Sequence, residues 1–510
     1  MSEPVGEPTI KHADGRVELR EPEALAASPH YNEDLAPVPV AKRTWSTWDY
    51  AALWISMAHC IPTYTMASSL IANGMSWWQA LVTIAIGNVI VLGPILLNSH
   101  PGTKYGIPFP VFARAAYGTV GSNLPALMRA LIACGWFGIN VWIGGHALQT
   151  FITSIWPGWH ELFGWFGGFP WNDWHEDQWF PGTQWISFAL FWGLNILIVY
   201  RGMELVRRLE RFAAPFVLVM TMVLVVWAVD AADGLGPIMS GERVPSDSGG
   251  FLPKFVPAFA VAFVPALTAT IGFWSTLSLN MPDFTRFGRS QREQVIGQVV
   301  ALPTTMTLFA AMGIIITSAT VIIFHSKPIS DPIALGGKFD NRLIVGIAMF
   351  TIVVATLAVN IAANVVSPAN DFANAFPRKI DFKKGGLITG VIGILMMPWE
   401  LLANPGRYIN GWLVGYSGSL GSIAGVLIVD YWILRKTELD LRSLYVPDGA
   451  YRYRNGWNLA AVWATVAGAG VALLGAFWEP MRPIYDWSWF VGFGLAGGLY
   501  WALMSGRQRR

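Results

Sequence analysis

Twelve apolar segments, each long enough to cross a membrane as a helix, constrain this chain more than any other feature. About 20 apolar residues span roughly 30 Å of hydrocarbon. Segments of that kind fall near 49–72, 76–98, 122–155, 183–200, 207–230, 253–280, 294–324, 343–373, 386–402, 408–434, 458–478 and 486–505. Composition agrees: 54% of the residues are hydrophobic and 13% charged, against about 25% charged in a soluble domain. Lys and Arg concentrate on the cytoplasmic side of membrane proteins. With a cytoplasmic N terminus, 26 of the 34 Lys and Arg fall on that side and seven on the other, Arg129 lying inside the third segment. Miscounting by one helix would scramble this alternation. The expectation is an all-α integral membrane protein with twelve transmembrane helices, multi-pass in the plasma (inner) membrane, both termini cytoplasmic.

Residues 1–46 read as a disordered cytoplasmic tail, 47–436 as a ten-helix core, 437–456 as a cytoplasmic loop, and 457–510 as helices 11 and 12 with a short basic tail. A net charge of +2 and the absence of a basic stripe argue against a nucleic-acid partner; the partner is the lipid bilayer. No cleavable signal peptide is apparent, and Cys60 and Cys134 sit in apolar segments where a disulfide has no evident task. The loop from Trp156 to Gly182 is rich in Trp and lacks Lys and Arg, as an external interfacial cap or a plain belt of membrane-edge tryptophans would be.

Backbone in lipid must be satisfied, so a helix interrupted at mid-membrane points to a cavity. The first segment carries Ser56, His59, Cys60 and Pro62 near its midpoint, and the sixth carries Pro265, Gly272 and Phe273, with Trp274 directly after the expected break. These two segments are five apart, as inverted five-helix repeats with one broken helix each would place them. Trp136 and Asn140 in segment three share a helix face, and Asn360 and Asn364 repeat that spacing in segment eight. A flat heterocycle could stack on Trp136 and Trp274 while the amides of Asn140 and Asn364 read its edges. The same two amides could instead tie helices together, and spacing alone does not choose.

Several stretches resemble the nucleobase:cation symporter-1 family of hydantoin, allantoin, uracil and cytosine permeases. They include Trp54 to Ala58, Ile61 to Ser69, Asn98 to Gly102, Gly106 to Arg114, Gly135 to Gly138, Asn280 to Arg286 and Asn360 to Asn370. The resemblance implies a LeuT-type core of two inverted five-helix repeats with two additional C-terminal helices. It also implies a substrate site in which Trp136 and Trp274 sandwich the ring, with Asn140, Asn364, Cys60 and Phe273 around it. Its cation positions would be Ser56, His59, Ala355, Ala358 and Val359. Sodium-driven members carry hydroxyls at the last two positions, where this chain has Ala and Val, so two hard oxygen ligands are missing and the coupling cation shifts from sodium towards a proton. His59 is then a candidate proton carrier, or a neutral imidazole bonding backbone freed at the break. Asp283 and Asp371 read as caps or gate partners of nearby Arg residues.

The function this implies is secondary active import of a neutral nucleobase or ureide ring of the uracil, allantoin or hydantoin class. A cytosine or purine permease of the same family is the alternative, and a facilitative channel the alternative of another class. No His, Cys, Asp or Glu set has the spacing of a metal or catalytic centre, so no enzyme, cofactor or metal site is expected.

Overall fold

Helix starts are written locally: Ser46 and Asp49 close the first one, the Ser46 N–H donating to Asp49 Oδ2 at 2.8 Å. The computed structural model describes residues 8–72, 75–162, 180–240, 259–326, 328–402 and 412–506. A small hairpin of β1 (Thr9–Lys11) and β2 (Val17–Leu19) precedes α1 (Thr47–Ala58), α2 (Ile61–Ala72), α3 (Trp77–Tyr105), α4 (Phe109–Tyr117) and α5 (Asn123–Ile155). Next come α6 (Gly182–Arg201), α7 (Met203–Ala231), α8 (Leu235–Ser240), α9 (Phe259–Asn280), α10 (Pro282–Thr285), α11 (Gln291–Phe324) and α12 (Pro332–Gly336). The remainder are α13 (Arg342–Asn364), α14 (Val366–Ala375), α15 (Phe382–Leu395), α16 (Pro398–Leu402), α17 (Val414–Ile428) with a π-helical extension Val429–Leu434, α18 (Leu459–Phe477), α19 (Arg482–Asp486) and α20 (Ser488–Ser505).

Among the described residues the apolar segments fall on helix, and nine spans are long and apolar enough to cross a membrane. Segment one is divided between α1 and α2, segment nine holds the 14-residue α15, and segment twelve the 18-residue α20. Packing is reciprocal: α1 lies on α11 as α9 lies on α3, and α5 packs on both α6 and α13. Most of the loop from Trp156 to Gly182 and the basic residues beyond Gly506 lie outside the described residues.

Segment one breaks where expected. His59 leaves the helix at φ −83°, ψ 82°, Cys60 N–H turns back to Ala58 O at 3.1 Å, and Pro62 takes the second position of α2, where a missing N–H is tolerated.

Segment six departs from expectation, because α9 is regular helix through Gly272, Phe273 and Trp274. Pro265 removes one backbone donor without stopping it. Gly272 answers to packing instead: a Cβ there would lie 3.0 Å from Leu413 O and 3.1 Å from the Ser417 side chain. A second interruption falls in segment eight, at Val365 between α13 and α14. Pro368, three residues on, has no N–H to offer the Asn364 carbonyl.

Residues 8–46 are folded against the loops on the side of the N terminus, not disordered. Asn32 Nδ2 donates to Pro377 O and Ile380 O at 2.8 and 2.9 Å, Asp34 Oδ2 accepts from Phe382 N at 2.7 Å, and Tyr445 OH donates to Leu35 O at 2.8 Å. Leu35, within this strap, is wholly buried.

Candidate functional site

The break between α1 and α2 meets α5, α9 and the end of α13 around a cavity of about 30 Å³. All six residues expected to touch a ring line it: Cys60, Trp136, Asn140, Phe273, Trp274 and Asn364. Trp136 and Trp274 are 5% and 2% exposed, so both indoles point into protein, away from lipid. A water needs about 10 to 15 Å³, so a planar ring requires side chains to move. Phe273 is the group in the way: its ring stands edge-on to Trp136 at 5.4 Å and to Trp274 at 4.9 Å.

Two supports of this cavity escaped the sequence reading. Trp136 Nε1 donates to Tyr416 OH on α17 at 3.1 Å, and Trp274 packs edge-to-face on Trp54 at 5.2 Å. Neither spacing nor composition marks Tyr416, which lies 280 residues away from its partner. Met57 and Thr276 also line the wall.

The two amides are held by hydrogen bonds. Asn140 Nδ2 donates to Trp136 O at 3.0 Å, one turn earlier, leaving its Oδ1 without a partner. Asn364 Nδ2 donates to Asn360 Oδ1 at 3.1 Å. Trp274 Nε1 is buried and unpaired. The cavity therefore combines ring faces with unfilled donor and acceptor positions, which is what binding a flat polar heterocycle requires.

The five cation positions are not gathered in one place. Val359 lines the small cavity, whereas His59 and Ala355 line a second one of about 420 Å³ between α2, α7, α11, α12 and α13. Ala358 is fully buried and lines neither, and Ser56 is buried as well. Cys60 belongs to both walls, so the break in segment one separates the two cavities. His59 Nε2 meets the Thr221 hydroxyl of α7. Thr221 Oγ1 also lies 2.9 Å from Val217 O, one turn earlier on α7.

Below the small cavity lies a buried polar cluster. Arg129 Nη2 donates to Ala363 O at 3.0 Å, and its Nη1 stands 3.8 Å from Asp371 Oδ2. Asp283 Oδ1 accepts from Phe109 N at 3.0 Å, and Ser367 joins the Asp283 carboxylate to the Asn280 amide.

A family described as permeases for cytosine/purines, uracil, thiamine and allantoin matches residues 37–492. The chain belongs to this family. It is 41% identical over 93% of its length to the allantoin permease of Bacillus subtilis, covering 93% of that protein. It is 39% identical over 94% of its length to the purine-uracil permease of Arabidopsis thaliana, covering 78% of that chain. Among solved structures it is similar to a nucleobase-cation-symport-1 family transporter in a closed conformation with bromovinylhydantoin bound. That likeness has a TM-score of 0.73 at 24% identity, covers 93% of this chain and 95% of the other, and establishes a shared fold. This permease is thus an all-α, multi-pass membrane transporter and not an enzyme.

Proposed function

We propose that this permease imports a neutral ureide or nucleobase ring, allantoin or uracil first, by cation-coupled alternating access across the plasma membrane. One observation carries the reading: Trp136, Trp274, Asn140 and Asn364, drawn from three helices, line a single buried cavity beside the break at His59 and Cys60. The ring stacks between the two indoles once Phe273 turns aside, and the amides read its edges. Allantoin and uracil lead because permeases named for them are the relatives at 41% and 39% identity.

The architecture behind this is twelve helices with both termini cytoplasmic, a core at 47–436 of two inverted five-helix repeats, a loop at 437–456 and two further helices within 457–510. Support comes from the reciprocal packing of α1 on α11 and α9 on α3, and from the distribution of Lys and Arg. Segment one departs from α geometry at its centre while its counterpart α9 does not, so in the second half the site rests on side chains of an intact α9 together with the interruption at Val365.

The coupling ion is a proton. Ala358 and Val359 supply no hydroxyl, and His59 at the break holds a nitrogen, Nδ1, with no protein partner. In proteoliposomes, uptake of labelled allantoin or uracil should follow an imposed pH gradient and ignore sodium at fixed pH. It should fall to background in Trp136→Ala and Asn364→Ala proteins that insert normally. Equal uptake by those two variants removes the proposed site; sodium stimulation at fixed pH removes proton coupling alone.

A further inference from the structure

The amide of Asn364 is the last member of a chain whose direction is fixed from a distant helix. Asn195 on α6 donates through Nδ2 to the Phe191 carbonyl at 2.8 Å. A backbone carbonyl only accepts, so the Asn195 amide has one orientation, with Oδ1 turned outward. Oδ1 of Asn195 accepts from Asn360 Nδ2 at 3.1 Å, which in turn leaves Asn360 Oδ1 to accept from Asn364 Nδ2 at 3.1 Å. Asn195 and Asn360 are wholly buried and Asn364 is 5% exposed, so no water competes for these bonds along the chain. Asn364 lines the small cavity, and with one of its two N–H groups given to Asn360 the amide cannot exchange its ends, so a bound ring meets Oδ1 at the end turned away from Asn360.

We propose that Asn195 is a specificity-setting positioning residue: through Asn360 it holds Asn364 as a hydrogen-bond acceptor, so that the transporter selects rings carrying an N–H at that edge. The inference rests on the ring site proposed above and adds the polarity of one of its groups. Asn195 does not touch the ring and acts only through the two amides between. Uracil, hydantoin and allantoin all carry ring N–H groups, whereas a ring with an oxygen there would set two acceptors against each other. Leaving a buried acceptor unpaired should weaken binding by about 5- to 150-fold.

The test compares hydantoin with succinimide, in which CH2 replaces the N1–H, and with 3-methylhydantoin, which lacks the N3–H; all three rings are neutral and stable in water near neutral pH. Binding is followed by quenching of tryptophan fluorescence in purified protein. In the wild type, one of the two analogues should bind at least 10-fold more weakly than hydantoin. In Asn195→Leu, Asn360 and Asn364 are free to turn and offer an N–H, so the discrimination should shrink to threefold or less. Asn195→Asp, neutral in this buried position, keeps an acceptor for Asn360 and a donor for Phe191 and should restore it. Asn195→Ala serves the same purpose as Asn195→Leu if the larger side chain prevents folding. Discrimination in both apolar variants within twofold of wild type overturns the proposal, as does equal weakening of hydantoin and both analogues, the mark of a merely structural role. Equal binding of all three rings by the wild type overturns the acceptor assignment. If no ring binds the wild type, the site itself is wrong, and that result is distinct from the others.

Discussion

Asp34→Ala tests whether the N-terminal strap holds its face of the transporter shut. Asp34 bridges two parts of the core: its carboxylate accepts from Phe382 N, at the start of α15, at 2.7 Å, while its carbonyl accepts from Arg286 Nη1, just past α10, at 2.8 Å. Under alternating access these parts separate when this face opens, because α10 follows the helix that walls the cavity and α15 packs on the scaffold helix α5. Removing the carboxylate deletes a charge-assisted bond worth about 1.5 to 3 kcal/mol. If that bond exists only in the closed arrangement, the open population rises about 10- to 150-fold. Cys60 is a built-in reporter, since it lines the cavity and is buried. In a Cys134→Ala background, in inside-out vesicles, a charged maleimide reaches Cys60 only from the strapped face, and its rate follows the open population. Asp34→Ala should speed labelling at least 10-fold, with uptake retained in part. A rate within twofold of the parent would refute the strap's gating role, because the bond would then be present in both states.

Two further outcomes follow from side chains at the site. Tyr416→Phe removes the acceptor of Trp136 Nε1 while keeping the ring, so affinity for the transported ring should fall about 2- to 12-fold, the worth of one neutral hydrogen bond; a fluorescence titration checks it, and unchanged affinity would mean that packing alone holds Trp136. His59→Gln can still donate to Thr221 but cannot take up a proton, so pH-driven uptake in proteoliposomes should be abolished while ring binding survives; retained pH-driven uptake would reduce His59 to a tether between α7 and the break.

The parts of this fold that were legible in the sequence depend on neighbours along the chain. Helix length against bilayer thickness placed the apolar helices, nine of them long and apolar enough to cross a membrane among the described residues, and a proline at the centre of segment one marked the break at His59 and Cys60. The error in segment six came from giving one residue type one meaning. Gly272 reads in the sequence as a weak point in the backbone, but it makes room for Leu413 and Ser417, and no local pattern separates these two uses of glycine. The strap was misread for a similar reason. Its composition is polar and rich in Pro, yet its order comes from side chains and backbone bonded to loops some 350 residues away, as Asn32 and Asp34 are to residues 377–382. The amide chain from Asn195 was invisible because its links to α13 span 165 residues.

The two interruptions share a local pattern. His59 and Val365 each lie three residues before a proline, Pro62 and Pro368, and each is followed by resumed helix. Proline by itself is not enough, since Pro94, Pro101, Pro215, Pro265 and Pro303 sit inside helices that run on. Both breaks have polar company facing protein, Ser56, His59, Cys60 and Thr63 around one and Asn360, Asn364, Ser367 and Asn370 around the other, but Pro101 has Asn98, Ser99 and Thr103 beside it in a helix that runs on, so polar company accompanies a break without deciding it. Helix backbone released by a proline can persist at membrane depth only where other groups answer it. The breaks also bound the cavity from two sides, with Cys60 and Asn364 in its wall. A ring that draws these walls together and an ion that acts at His59 would therefore bias the same break, and by thermodynamic reciprocity each would strengthen the binding of the other.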